Sequence, residues 1–230
     1  MTFSFDIVPR VRRFGGVCLV LYAAGLILFL LFSVLIGPGP NAGADAGIRA
    51  AAAHANLTQF LVIVVALAEA ALVPAAVVLY MLLGPTARIR AGVGAIAVVL
   101  GSVVDVSVGV TDAFGKIAVA ELYVKASSDT QRSAYLAASQ LSDGIQMGSA
   151  LVFVLFASVG LLALGWAMLP SHFPRWLGYF TAGVGTLGVI GMLGGSLIPI
   201  LLPVAFVALL LTVPWALVTG VVLYRSKPTG

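Results

Sequence analysis

Two carboxylic acids lie in the middle of long apolar runs, Glu69 within residues 59–83 and Asp105 within residues 91–114. An ionised acid at the centre of a bilayer raises the free energy of insertion by about 2.5–3.5 kcal/mol, so an acid in such a run is a functional hypothesis. Glu69 and Asp105 are therefore the candidate catalytic or proton-binding residues. A protonated carboxyl costs less free energy to bury, so both are expected to be neutral when buried.

Asp105 belongs to a stripe of small and polar residues on the third apolar run. The stripe consists of Gly94, Val98, Gly101, Asp105, Gly109 and Asp112. On an α-helix these positions fall within about 80° of one another. Small residues let helices approach closely, so this face is expected to point into a helix bundle, towards Glu69.

Further polar residues extend the pattern towards one end of the bundle. The predicted polar cavity is lined by Glu69, Ser102, Asp105, Asp112, Asp143 and Gln146. It is expected to form an acidic vestibule that opens outward, with the two intramembrane acids deepest. A purely structural role is the alternative, in which both acids hydrogen-bond across helices to Ser102, Thr181 or Thr212, or to a carbonyl exposed by Pro74.

The composition of the chain is typical of a membrane protein. Of the 230 residues 61% are hydrophobic and 9% are charged, against roughly 25% charged in soluble domains. At about 20 residues per span, the chain is expected to be one all-α transmembrane domain, residues 1–230. The six predicted spans are residues 17–36, 59–83, 91–114, 143–169, 177–193 and 198–224.

The connections are less regular than the spans. The first span is expected to end at Gly37–Pro40 and to be retained, although a cleaved signal peptide is the competing interpretation. A short helix is expected over residues 48–55 and a tight turn at Gly84–Pro85. Residues 115–141 form the longest predicted loop, with room for further helical turns.

Basic residues predict the orientation. Eight lie on one side, Arg10, Arg12, Arg13, Arg88, Arg90, Arg175, Arg225 and Lys227, and four on the other, Arg49, Lys116, Lys125 and Arg132. The positive-inside rule then places both termini in the cytoplasm. Aromatic residues typical of a membrane interface fall on the same side, namely Tyr80, Trp166, Trp176, Tyr179 and Tyr224.

Several function classes lack the residues they need. Cys18 is the single cysteine, and it lies in an apolar run that predicts packing. His54 and His172 lie in predicted loops on opposite sides, so no intramembrane histidine pair exists to bind haem. No cofactor and no metal site is expected. Nucleic-acid binding is also not expected, because the basic residues are spread over loops.

The segment Phe173-Pro174-Arg175-Trp176-Leu177-Gly178 follows a long apolar run. It resembles the signature of an uncharacterised family of bacterial membrane proteins with about six spans. Shorter matches are Arg13-Phe14-Gly15-Gly16 and Leu79-Tyr80-Met81-Leu82-Leu83-Gly84-Pro85. The resemblance implies a multi-spanning fold in the bacterial cytoplasmic membrane and implies no activity.

Three hypotheses for function remain open. The leading one is small-molecule or proton-linked transport through the acidic cavity, with a small apolar or cationic ligand. The second is a membrane-embedded enzyme that uses Glu69 or Asp105 as general acid on a lipid-soluble, terpenoid-like substrate. The third is a structural subunit that packs against other membrane proteins in a larger complex.

Overall fold

The computed structural model describes residues 7–36 and 43–225, and these residues are almost wholly helical. The expected stop at Gly37–Pro40 and the basic residue Lys227 lie outside the described residues. The helices are α1 (Ile7–Ile36), α2 (Ala44–Ala53), α3 (Ala55–Lys125), α4 (Asp129–Met168), α5 (Arg175–Leu197) and α6 (Leu202–Arg225), with a 3-10 turn at Pro199–Leu201. The prediction of an all-α fold is confirmed.

The long helix α3 is a hairpin. Its backbone leaves the helical region at Ala87 (φ −150°, ψ 49°), which separates a first arm, residues 55–86, from a second arm, residues 88–125. The arms fold back on each other, since a Cβ placed on Gly92 would lie 3.6 Å from the ring of Tyr80. The turn was expected at Gly84–Pro85, but the helix continues through both residues. Thr86 then donates a hydrogen bond to the carbonyl of Leu83 at 3.1 Å, which satisfies an acceptor near the end of the arm.

The helices pack as a closed ring. Around the ring α1 contacts α3, α3 contacts α4, α4 contacts α5, α5 contacts α6, and α6 contacts α1. Glycines bring several backbones close together: a Cβ on Gly16 would lie 2.7 Å from the carbonyl oxygen of Gly220, where α1 crosses α6. The predicted packing role of Cys18 agrees with its place in the main core, beside Leu19 and Tyr22.

The chain is a multi-pass membrane protein. Within the part of the chain that the structure describes, five helices are long and apolar enough to cross a membrane, namely α1, α3, α4, α5 and α6. Because α3 bends at Ala87, its 71 residues form two arms, each of them long enough to cross a membrane. Large apolar side chains such as Leu31, Leu67 and Ile96 are more than half exposed on the outside of the ring, where lipid chains would cover them.

Beyond the predicted spans the helices continue. Residues 115–141, expected as the longest loop, are helical except for the link at residues 126–128. The expected short helix is present as α2, which packs on this extension. Its Ile48 is buried against Ala120 and Tyr123. We call this the α2 end of the bundle, and the opposite end, where α1 begins and α6 ends, the basic end.

Candidate functional site

A cavity of about 160 Å³ lies inside the ring, between α1, both arms of α3, α4 and α6. We call it the inner cavity. Most of its lining is aliphatic or aromatic, including Phe29 and Phe153. Its polar lining residues are Tyr22, Glu69, Asp105 and Gln146. It is therefore an apolar chamber with a few convergent polar groups, as is typical of small-molecule sites.

Glu69 and Asp105 form a carboxyl pair in this cavity. They lie at equal sequence distances on either side of Ala87, so the bend that makes α3 a hairpin brings them together. Two carboxyl groups that line one apolar cavity can be joined by a hydrogen bond. Such a bond needs a proton on one of the two groups, because two carboxylates have no proton to donate. The pair can therefore hold and release a proton.

Tyr22 and Thr212 lie beside the carboxyl pair. The hydroxyl of Thr212 donates to the carbonyl of Leu209 at 2.6 Å. Its proton is thus in use, and the phenol of Tyr22 donates to the Thr212 oxygen at 2.9 Å. The lone pairs of the phenol oxygen remain able to accept a hydrogen bond from a protonated group in the cavity. Tyr22 lines the same cavity as Glu69 and Asp105.

Three of the six predicted cavity residues, Glu69, Asp105 and Gln146, line the inner cavity, and three do not. Ser102 is buried away from it, and its hydroxyl has no hydrogen-bond partner among the described residues. Asp112 accepts a hydrogen bond from Ser142 at 2.7 Å. Asp143 forms an ion pair with Lys116.

The small stripe on the second arm explains part of this placement. A Cβ on Gly94 would lie 2.9 Å from the carbonyl of Gly160 on α4, and a Cβ on Gly101 would lie 3.0 Å from Phe156. The stripe therefore packs against α4 at its glycines, Gly94 and Gly101. At Gly109 it borders the inner cavity, and Asp105 is exposed to that space.

Thr181 does not act as a partner of the acids. It accepts a hydrogen bond from the indole of Trp215 at 2.9 Å and donates to the carbonyl of Leu177 at 2.7 Å. Thr212 is occupied by Tyr22 and Leu209. The hydroxyl groups of Thr181 and Thr212 therefore bond to residues other than Glu69 and Asp105.

Sequence reasoning missed Tyr22 and a second cavity. A tyrosine in the middle of an apolar span needs a partner for its hydroxyl, which is the signal that identifies Tyr22. The second cavity, about 280 Å³, lies at the α2 end, and we call it the outer cavity. No sequence pattern marks it, because its walls come from α1, α2, both arms of α3 and α4.

The chemistry available at the inner cavity is proton exchange, cation binding and general acid catalysis. Within residues 7–36 and 43–225, the histidine, cysteine, aspartate and glutamate side chains form no group of three that could hold a metal ion. Comparison with curated proteins and comparison with solved structures found no match. The chain does match a family model described as a domain of unknown function, DUF4386, over residues 14–227, and it therefore belongs to that family.

Proposed function

We propose that this protein binds a small, largely apolar cation in the inner cavity in exchange for the proton of the carboxyl pair, and that the exchange drives transport of the cation. The observation that carries the proposal is that Glu69 and Asp105, from the two arms of α3, line the same apolar cavity. An incoming cation would replace the shared proton as the charge that holds the two carboxylates together. Binding and proton release are then one event.

The size of the cavity limits the ligand. An apolar cavity of about 150 Å³ can bind benzene, and the inner cavity has about 160 Å³. Phe29 and Phe153 line the cavity, and aromatic rings attract a cation that lies close to them. A single-ring amine such as benzylamine therefore fits both the volume and the charge.

The direction of transport depends on orientation, which we propose from the charges. The basic end, with Arg13, Arg88 and Arg225, would face the cytoplasm, and the α2 end would face outward. Trp166 and Trp176, more than half exposed near the basic end, support an interface there. The Pro-Arg-Trp-Leu-Gly segment fits the same side, since Pro174 precedes the first turn of α5 and Arg175 begins it. The membrane would be the bacterial cytoplasmic membrane.

Calorimetric titration tests the exchange. Benzylamine is titrated into the purified protein in buffers of different ionisation enthalpy, which reports the protons released on binding. Wild type is expected to release a proton for each amine bound. Benzyl alcohol, which has nearly the same shape but no charge, is expected to bind without proton release.

A matched pair of variants locates the effect. Glu69→Gln is expected to abolish proton release and weaken benzylamine binding while leaving benzyl alcohol binding unchanged. Glu121→Gln, the same substitution at an exposed position of α3, is expected to match wild type. Proton release that persists in Glu69→Gln would contradict the proposal. Proteoliposomes with a pH gradient then test whether benzylamine is taken up.

A general acid is the second candidate function. It is favoured by the same apolar cavity, in which a protonated carboxyl lies near two aromatic rings that could stabilise a carbocation. This function predicts a changed terpenoid profile in extracts of cells that produce wild type but not Glu69→Gln. Identical extracts, together with proton release on amine binding, would favour transport.

A further inference from the structure

The outer cavity lies between the carboxyl pair and the α2 end. Its lining residues include Ser33, Thr58, Lys116 and Gln146, which supply hydroxyl, ammonium and amide groups. A water molecule occupies about 30 Å³ of liquid and needs two to four polar partners. With about 280 Å³ and these groups in its wall, the outer cavity can hold several waters.

Four residues line both cavities, Phe29, Val62, Ala113 and Gln146. They come from α1, both arms of α3 and α4, so they surround the position where the two cavities meet. Gln146 is the polar member of this junction, and Phe29 is the largest apolar one. A molecule that passes from one cavity to the other must pass these side chains.

Helix α2 forms a wall of the outer cavity through Gly47, Ala50 and Ala51. Its position is held by polar contacts on its other side. Asp45 accepts a hydrogen bond from the hydroxyl of Tyr123 and pairs with Arg49 at 2.9 Å. The guanidinium of Arg49 lies 5.4 Å from the centre of the Tyr123 ring. The wall is therefore anchored to the second arm of α3.

The charge of the outer cavity is balanced. Lys116 lines it, and its ammonium pairs with Asp143 on α4, whose side chain is about half exposed. The ion pair leaves little net charge to repel a cation. Without Asp143, an unpaired ammonium would face any cation that enters.

We infer that the outer cavity is a hydrated vestibule through which protons and small hydrophilic solutes reach the carboxyl pair from the α2 end. The four shared residues form the narrow connection to the inner cavity, and α2 forms the wall at the α2 end. The route differs from the acidic vestibule expected from the sequence, because Asp112 and Asp143 lie outside its lining. The inference rests on the proposed function only for the identity of the transported cation. The route itself can be tested without that cation.

Cysteine accessibility tests the route. In a Cys18→Ala background, Ala66→Cys places a thiol in the inner cavity and Leu67→Cys places one on the lipid-facing surface next to it. Each variant is reconstituted in nanodiscs and treated with a small cationic methanethiosulfonate reagent. The Ala66→Cys thiol is expected to react and the Leu67→Cys thiol to be protected. Equal rates at the two positions would overturn the inference.

A plug with a matched control identifies the passage. Ala51→Trp fills the outer cavity, whereas Ala53→Trp adds the same ring to an exposed position on α2. Ala51→Trp is expected to abolish labelling of the Ala66→Cys thiol, and Ala53→Trp is expected to leave it unchanged. Ala50→Phe serves as a second plug if Ala51→Trp does not fold. Labelling that is unaffected by a folded plug would overturn the inference.

Two further variants complete the test. Asp143→Asn leaves Lys116 unpaired, so the cationic reagent is expected to react several-fold more slowly with the Ala66→Cys thiol, while a neutral methanethiosulfonate reagent is unaffected. An equal effect on both reagents would contradict the balanced charge of the vestibule. Glu69→Gln separates the two proposals, since it is expected to abolish proton release on benzylamine binding and to leave labelling through the vestibule intact.

Discussion

The phenolic oxygen of Tyr22 lies 2.9 Å from the hydroxyl oxygen of Thr212 and joins α1 to α6 next to the carboxyl pair. This bond closes the ring of helices, since α1 and α6 come from opposite ends of the chain. It also gives Tyr22 a fixed position against the inner cavity. The ring closure and the candidate site thus share one side chain.

Tyr22→Phe removes this hydrogen bond while keeping the ring that packs in the core. Hydrogen bonds between membrane helices average about 0.6 kcal/mol in double-mutant cycles, so Tyr22→Phe and Thr212→Val are each expected to lower the free energy of unfolding by about that amount or more. The double variant is expected to lose less than the sum, because the same bond is removed twice. Denaturant unfolding in detergent measures all three. Strict additivity would show that the bond contributes nothing.

Gly185 and Gly183 make a matched pair on α5. A Cβ on Gly185 would lie 2.6 Å from the carbonyl oxygen of Ser158 on α4, whereas a Cβ on Gly183 would meet nothing within 4 Å. Gly185→Ala forces the two helices apart and is expected to destabilise the protein by roughly 1–3 kcal/mol. Gly183→Ala is expected to be neutral or slightly stabilising, since alanine favours helix. Thermal unfolding measures both, and similar melting temperatures would contradict the close packing.

Asp45→Asn is expected to release α2 from the α2 end. The substitution removes the charge that pairs with Arg49 and weakens the acceptor for Tyr123. The hydrogen bond to Asp45 raises the pKa of Arg49, so the guanidinium that pairs with Asp45 is charged in the folded protein. Hydrogen exchange of residues 44–53 is expected to speed up, with Asp129→Asn as the exposed control. Unchanged exchange in α2 would mean that its apolar contacts alone hold it.

Reporter fusions test the proposed orientation. Alkaline phosphatase fused after Arg225 is expected to be inactive, because the enzyme folds only outside the cytoplasm. Fused within the link at residues 126–128, it is expected to be active. The reverse pattern would place the basic end outside and would invert the direction proposed for transport.

Much of the fold could be predicted because hydropathy alone separates the apolar segments. The helical extension at the α2 end could not be predicted, because charged residues such as Glu121 and Lys125 make this segment look like a loop by hydropathy. In the structure the segment is helical, and Glu121 and Lys125 form an i,i+4 ion pair on it. The break at Ala87 was expected two residues earlier, because proline is a strong signal in sequence. In the folded chain Pro85 lies inside the helix.

The carboxyl pair could be predicted and the shape of its surroundings could not. Glu69 and Asp105 are conspicuous because each interrupts an apolar run. The outer cavity arises from small gaps between helices, and Lys116 reaches it only because the second arm continues beyond the predicted span. Tyr22 is hard to single out from the sequence, because tyrosine is common in membrane proteins. Its place in the site depends on its hydrogen-bond partner Thr212 on α6, which only the fold brings next to it.

The bend at Ala87 also bears on how the protein enters the membrane during synthesis. Both acids belong to one continuous hairpin, so they can be inserted together before α4, α5 and α6 have been translated. Each acid alone would resist partitioning into lipid, but two carboxyl groups on one hairpin could share a proton and lower that cost as soon as the hairpin formed. The ribosome would therefore deliver the site largely assembled, and the later helices would only have to close around it.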